Sequence, residues 1–393
     1  MIKIYKIQKK YIFTFIASGI VLLYLVFSMM GFRWASTYVR TNHVITWKYG
    51  YIPRTFANQI ASFFLGDRLY NQAFLNIWIL GISGLFLLYI IFSVVETVAI
   101  KHNVLCTVVF FAFSISPYAK YYLHEAGYYE QYGYLLGIVL LEVARKKKWN
   151  VTFACAVVFA FLSVLFSETN LFLVIPFLFS IVFLEIVAAK QNTVKRTILL
   201  VTGFVPAIVY SLMAFFIKVP KERMEKIAEW NRQCVDFPLR NDVYQYFWDD
   251  RSNAELWGRE LRSIPIPCVI YPLIFAAVIA FILYQVNKKV AISYFLVCIL
   301  CGLVNYSIVV VAWDLDRYYF CIFMQVFMIT IYVMKKYLIN YELCKRDIKA
   351  LLLLIIMGFG MTKFEFELFD DEKYLRNIHD LLEKMNKILS VFS

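Results

Sequence analysis

Residues 197–217 read TILLVTGFVPAIVYSLMAFFI, an uncharged run with Lys195 and Arg196 before it and Lys218 after it. About 20 apolar residues are needed to cross the hydrocarbon core of a bilayer as helix, and this run meets that length with basic residues at each end. Working outward from it, comparable runs fall at 12–31, 74–98, 104–118, 130–144, 150–167, 171–189, 265–286, 290–312, 318–334 and 348–362. The fold class expected is therefore all-α: a polytopic integral membrane protein with about 11 transmembrane helices. Composition agrees. The chain has 393 residues, 62% of them hydrophobic and 17% charged, and a mean hydropathy of +0.67. A soluble domain carries about 25% charged residues, so soluble enzymes, secreted disulfide scaffolds and disordered regulators are excluded.

The net charge of +13 reports topology. With the N-terminus inside, the cytoplasmic ends of the runs hold 19 basic residues against five acids, while the other side holds 21 basic and 22 acidic residues. Lys3, Lys6, Lys9, Lys10, Arg145, Lys335 and Lys336 belong to the first set. This is the positive-inside asymmetry, and it accounts for the basicity without a nucleic-acid partner. The N-terminal run is about 20 residues long and has no small-residue cleavage site, unlike a signal peptide with its core of about 7–15 residues, so it is expected to stay attached as the first span. Cys106, Cys155, Cys298, Cys301 and Cys321 fall within spans and Cys344 on the reducing side. Packing is the reading for them, including Cys298-x-x-Cys301, which lacks the neighbours of a metal site. Only Cys234 and Cys268 are placed to meet in an oxidising compartment.

The inner loops are short and basic, whereas the outer segments, above all 32–73 and 218–264, are longer and chemically richer. A single transmembrane domain over 1–362 is expected, followed by a helical tail over 363–393 with an apolar stripe at Leu375, Ile378, Leu381, Leu382, Met385, Ile388 and Leu389. In the 218–264 loop, Pro220 and the residues after it signal a helix start. Met224, Ile227 and Ala228 then give it a face for the membrane surface or for a cavity.

Ionisable groups near spans are costly and mark functional positions. In this chain they gather on the outer side, in four clusters. The first loop offers Arg33, Arg40, His43, Lys48 and Arg54, with Asp67 as its single acid. A guanidinium on a Gly/Pro-shaped turn forks onto phosphate oxygens, while the plainer reading makes Arg54 an interface anchor. Residues 118–134 hold seven tyrosines together with His124, Glu125 and Glu130, either an aromatic belt or a sugar-binding surface with an acid–base group. Ser167-Glu168-Thr169-Asn170 is either a capped tight turn or a carboxylate aimed into an outward cavity. Asp314-x-Asp316-Arg317 supplies a base or substrate ligand beside a phosphate partner, or an internal salt bridge. There is no Gly-rich phosphate loop, zinc spacing or nucleophile elbow, and neither a metal nor a cofactor is called for.

These residues carry a resemblance. Tyr49-Gly50 with Arg54 in the first outer loop, Glu168 before the Pro176-containing span, and Asp314 with Arg317 at the outer end of a late span resemble the polytopic proteins of bacterial O-antigen and capsule assembly. The likeness is to O-antigen polymerase-type proteins, with the lipid-linked GT-C glycosyltransferases as neighbours. It implies transfer, inverting or retaining, from a polyprenyl-phosphate- or diphosphate-linked sugar at the outer face of the bacterial inner membrane. Membrane lipid and other polysaccharide-assembly proteins would be its surroundings. On that reading the base is Glu125, Asp314 or Glu168, in that order, with Glu130 in the same cluster. Arg54 and Arg317 hold phosphate with Arg33, Arg40 and Lys48 in reserve, and His43 and His124 orient or protonate. Two alternatives remain at this point, a GT-C-type side-branch transferase and a non-enzymatic flippase for lipid-linked glycans. Mid-span charges are scarce, which sets the flippase behind the enzymes.

Overall fold

The computed structural model describes residues 11–12, 14–20, 34–100, 104–116, 122, 125–189, 192–248, 266–308 and 315–361. Every regular element among them is helical, with no strand. In chain order the helices are α1 (Thr37–His43), α2 (Phe56–Leu65), α3 (Gln72–Val94, running on as a π-helical turn Val95–Ile100), α4 (Val104–Ile115), α5 (Tyr129–Lys146), α6 (Trp149–Phe166), α7 (Asn170–Leu173) and α8 (Ile175–Ala189). Then follow α9 (Thr193–Phe216), α10 (Lys221–Cys234), α11 (Asn241–Gln245), α12 (Ile266–Val286), α13 (Lys288–Ser307), α14 (Leu315–Tyr337) and α15 (Lys345–Met361).

Among the described residues, seven helices are long and apolar enough to cross a membrane. The other expected spans are narrower. At 104–118 the helix α4 has 12 residues, and at 348–362 the helix α15 has 17. At 130–144 α5 carries Glu130, Glu142, Arg145 and Lys146 within its 18 residues. Residues 14–20 of the first expected span are helical. The remainder of that span from 21, and the tail 363–393, lie outside the described residues.

The molecule is arranged around α14. The apolar stretch of this helix is buried along its whole length, whereas barely a quarter of the corresponding stretch of α9 is. Neighbours on every side account for this enclosure, since α14 packs against α5, α8, α12 and α13. Phe327 stacks on Phe113 of α4 with ring centroids 4.0 Å apart, and Phe323 sits between Tyr271 and Phe275 of α12. Two of its buried polar residues bond to neighbours. Gln325 donates to the Phe172 carbonyl at 3.1 Å, and the Thr330 and Tyr294 hydroxyls meet at 2.6 Å. By contrast α9 turns Ile198, Leu199, Val205, Leu212 and Met213 outward, as lipid-facing positions require.

Glycines let α5 come close to its neighbours. A Cβ on Gly133 would stand 2.6 Å from Val174, and one on Gly137 would collide with the Phe177 ring. This four-residue spacing of small residues is a membrane-helix contact device. Cys298 and Cys301 are buried free thiols, as packing demands. Cys234 is also a free thiol.

Charge is segregated between the two ends of the bundle. At one end Arg145 forks onto Glu96 at 2.6 and 3.1 Å. Lys335 lies between Glu142 at 2.6 Å and Glu96 at 2.9 Å, and Lys336 pairs with Glu185. All of these belong to the set expected inside. At the other end Arg54 meets Glu168 at 2.8 Å and Arg317 meets Glu130 at 3.5 Å, and all four belong to the set expected outside.

Gly137→Ala is expected to overpack the α5–α8 contact at a cost of about 1–3 kcal/mol, read as a lower unfolding temperature in detergent. Gly81→Ala on α3 meets open space and is expected to leave that temperature equal or raise it, since alanine favours helix by about 1 kcal/mol over glycine. Equal behaviour of the two variants would contradict this account of the packing.

Candidate functional site

The end of the bundle that bears the charges expected outside, called here the outer end, carries a cap built from the first loop and residues 218–248. Ser36 caps α1 by accepting from the Val39 N–H at 3.2 Å. Beyond α1, Trp47 Nε1 donates to the Ile52 carbonyl at 3.0 Å and to Thr55 Oγ1 at 2.7 Å, closing a loop around Tyr51 and Arg54. Within it Gly50 has φ 110° and Arg54 has φ 70°. A side chain in that left-handed region costs about 1–2 kcal/mol, and such strain collects at ligand sites. Asn58 secures the loop from below. Its amide donates to the Asn42 and Ile45 carbonyls, and its oxygen accepts from the Tyr129 hydroxyl.

Helix α10 lies over this loop instead of along the membrane surface. Its apolar face, Met224, Ile227 and Ala228, forms one cluster with Ile45, Ile52, Val243 and Phe247. The chain then returns through Asp236, which accepts from Asn71 Nδ2 and from the Gln72 N–H, and brings Tyr246 and Phe247 down over the site.

Two further turns complete it. Gly127, at φ 97°, is wedged so tightly that a Cβ would stand 2.6 Å from Ile79 and 2.7 Å from Val39. The turn is held by Gln131, whose amide donates to the Tyr122 and Glu125 carbonyls and whose oxygen accepts from the Gly127 N–H and the Ser83 hydroxyl. The second turn is Ser167–Thr169, where Asn170 Nδ2 donates to the Ser163 carbonyl and Ser211 to the Glu168 carbonyl. The Thr169 side chain makes no capping bond at the start of α7, and the Glu168 carboxylate faces inward.

These elements enclose a cavity of about 80 Å³ lined by Tyr38, Asn42, His43, Arg54, Tyr128, Tyr129, Glu130, Glu168, Thr169, Tyr246 and Arg317, among others. Its charges form two pairs, Arg54–Glu168 and Arg317–Glu130. Arg54 also lies 4.7 Å from the Tyr246 ring and Arg317 4.6 Å from the Tyr128 ring. Glu168 is 1% exposed. Its Oε2 has no hydrogen-bond partner, and the Arg54 Nε–H, though close to Oε1, is not directed at it. Burial raises the Glu168 carboxyl above the ordinary range, against the opposing pull of Arg54 and Arg317. Burial pulls Arg54 down, but Glu168, Tyr246 and Tyr38 together more than offset it, so the guanidinium stays charged.

Of the residues singled out from sequence, Arg54, Glu130, Glu168, Arg317 and His43 converge on this cavity. His43 is a wall. Burial pushes it down to about 4, so the ring is neutral. Its Nδ1 lies 2.9 Å from the Val39 carbonyl and its Nε2 3.1 Å from the Tyr132 hydroxyl, which leaves neither nitrogen for a phosphate. Glu125, the first choice as base, is buried in the turn below and is not among the lining residues. Arg40 donates to Thr37 Oγ1 and faces the Phe237 ring, and Lys48 lies over the Trp230 ring. Arg33, His124 and Asp314 lie outside the described residues. Tyr246 and Gln131 were missed. The aromatic run Tyr244–Trp248 was a signal for the first, while a neutral amide at the mouth of a span offers none for the second.

Gln131→Leu is expected to strip the Gly127 N–H and the Tyr122 and Glu125 carbonyls of their Gln131 partner, while the Ser83 hydroxyl keeps the Ile79 carbonyl, and to cost on the order of 3 kcal/mol. The readout is faster hydrogen exchange at the Gly127 amide together with a lower unfolding temperature, and unchanged exchange there would refute the role. No family model, no curated protein and no solved structure matches this chain.

Proposed function

We infer that this chain is a membrane glycosyltransferase of bacterial surface-polysaccharide assembly, with repeat-unit polymerisation as its reaction. The reading keeps eleven crossings, the N-terminus in the cytoplasm, and the cavity opening at the outer face of the inner membrane. One observation carries it: a buried carboxylate oxygen, Glu168 Oε2, stands without a hydrogen bond in a cavity that also holds Arg54 and Arg317. An unsatisfied buried acceptor is expensive and fits a ligand hydroxyl. The flanking guanidinium groups fit a phosphate.

The chemistry follows from those two fits. The donor is a sugar joined through its anomeric carbon to a polyprenyl phosphate or diphosphate. An acceptor hydroxyl gives its proton to Glu168 as its oxygen bonds the anomeric carbon. The bond from that carbon to the phosphate oxygen breaks, and the electron pair leaves with the phosphate, where Arg54 and Arg317 meet the developing charge. Glu130 holds Arg317 in place. Transport is the weaker reading, because the described ion pairs sit at the two ends of the bundle, whereas transporters place polar groups at mid-membrane.

Deleting the gene in its host and restoring it is expected to collapse and recover the ladder of surface glycolipid. Glu168→Gln should fail to restore the ladder at normal expression, since a general base contributes about 10²–10⁴-fold. A full ladder with Glu168→Gln would overturn the assignment of the base. A full-length ladder of altered mobility in the deletion strain would make the enzyme a side-branch transferase.

The pH dependence gives an independent check. Because burial raises Glu168, activity should fall with acid through a midpoint above the ordinary glutamate value of about 4.3. Removing the opposing positive charge by Arg54→Gln should move that midpoint higher still in the residual activity. A midpoint at the ordinary value in both proteins would remove Glu168 from the proton transfer.

A further inference from the structure

The cavity is too small for the substrates of such a reaction. A pocket of about 150 Å³ is what benzene occupies in a protein interior, and this one encloses about 80 Å³. It therefore takes the reacting hydroxyl and phosphate, and the sugar rings that carry them must lie across its mouth.

One exposed aromatic ring stands at the mouth and a second lies close by. Tyr246 lines the cavity yet is 52% exposed, so it stands at the rim. Its ring is backed by the Arg54 guanidinium and by Phe247, with centroids 6.1 Å apart. Tyr51, three residues before Arg54, is 43% exposed. Its ring lies 5.1 Å from that of Trp47, and its hydroxyl meets that of Tyr210, a residue within electrostatic reach of Glu168 and Arg54. Tyr51 is also fixed from above, where Arg223 of α10 donates to its carbonyl at 3.4 Å. Such an anchor belongs to the cap. A tyrosine of a lipid-facing belt needs none, because the headgroup region itself satisfies its ring and hydroxyl.

We propose that Tyr51 and Tyr246 form an extended glycan-binding platform outside the catalytic cavity, on which rings of the carbohydrate substrate stack. The inference rests on the transferase reading and deepens it. Flat rings held rigid by a guanidinium, an indole and a second phenol lose little entropy when a pyranose face settles on them. Exposed hydroxyls and the Arg54 edge accept the polar rim of the sugar. A platform of this kind binds longer glycans more tightly than single repeats, which is what a polymerase handling a growing chain requires.

The probe is surface polysaccharide of the producing organism, released from its lipid by mild acid and cut into fragments of one, two and four repeats. Binding to the full-length protein in lipid nanodiscs is read from the fluorescence of Trp47, with a Trp47→Phe protein supplying the background. Affinity is expected to rise with fragment length. It should fall about tenfold for the longest fragment in the Tyr51→Ala, Tyr246→Ala double variant, as the loss of two aromatic contacts implies. The Tyr51→Phe, Tyr246→Phe protein keeps the rings and should bind as the parent does, which separates stacking from loss of fold. Length-independent affinity, or equal affinity in parent and double-alanine protein, overturns the platform. If fragments fail to bind while Glu168→Gln still abolishes the ladder, the platform falls and the transferase reading stands. If they fail to bind and Glu168→Gln restores a full ladder, both fall.

Discussion

Helix α14 is enclosed by protein along its length, and that enclosure fixes both ends of the molecule together. A helix with neighbours on every side cannot rotate or slide without unpacking all of them, because interiors are close-packed. Its outer end carries Arg317 into the cavity, and its inner end carries Lys335 and Lys336 into carboxylates of α3, α5 and α8. The rigid rod between them spans about 30 Å, at 1.5 Å per residue over some 20 residues. The position of one guanidinium at the site is thus set by packing through the whole thickness of the bundle.

The ion pairs at the two ends differ in what they leave over. At the inner end Lys335 Nζ has Glu142, Glu96, Ser93 and Tyr89 within 3.4 Å, and Arg145 is bidentate on Glu96. That network is saturated, and saturated networks lock a register. At the outer end Arg54 touches Glu168 without aiming its Nε–H at the carboxylate, while the Arg54 backbone is held at positive φ. Burying a charge pair returns little net stability even when its geometry is good, so poor geometry in a strained setting is not explained by folding. The proposed ligand site would account for it.

Much of the architecture was legible because lipid imposes a simple rule on length and polarity. The run at 197–217 became α9, and the division of charges into two sets reappeared as two separate groups of ion pairs. Burial was not legible. Among the seven long apolar helices α14 is the least apolar, yet it is the one inside. Tyr294 and Phe172 supply partners for its Thr330 and Gln325, whereas most of α9 faces outward and is greasier. In the site, Arg54, Glu130, Glu168 and Arg317 stood out as charges beside spans, but no local pattern pairs residues 114 positions apart, as Arg54 and Glu168 are. Glu125 and Glu130 were indistinguishable by chemistry. The Gly127 turn and its Gln131 clamp decide between them, because α5 starts at Tyr129 and its first turn points Glu130 at Arg317.

On the proposed transferase reading, the Arg54–Glu168 contact acquires a meaning as an exchangeable one. A phosphate offers a guanidinium two parallel hydrogen bonds, which the present contact does not, so a phosphate entering the cavity competes well for Arg54. Each ångström that Arg54 turns toward it weakens the positive field on Glu168. Burial already raises that carboxyl, and losing its counter-ion makes it a stronger base at the moment the leaving group is in place. Glu130 keeps Arg317 from drifting during the exchange, since its own carboxylate is held in the first turn of α5. On that proposal the cavity couples capture of the donor phosphate to activation of the base, and an acceptor hydroxyl arriving first meets a carboxylate still restrained by Arg54.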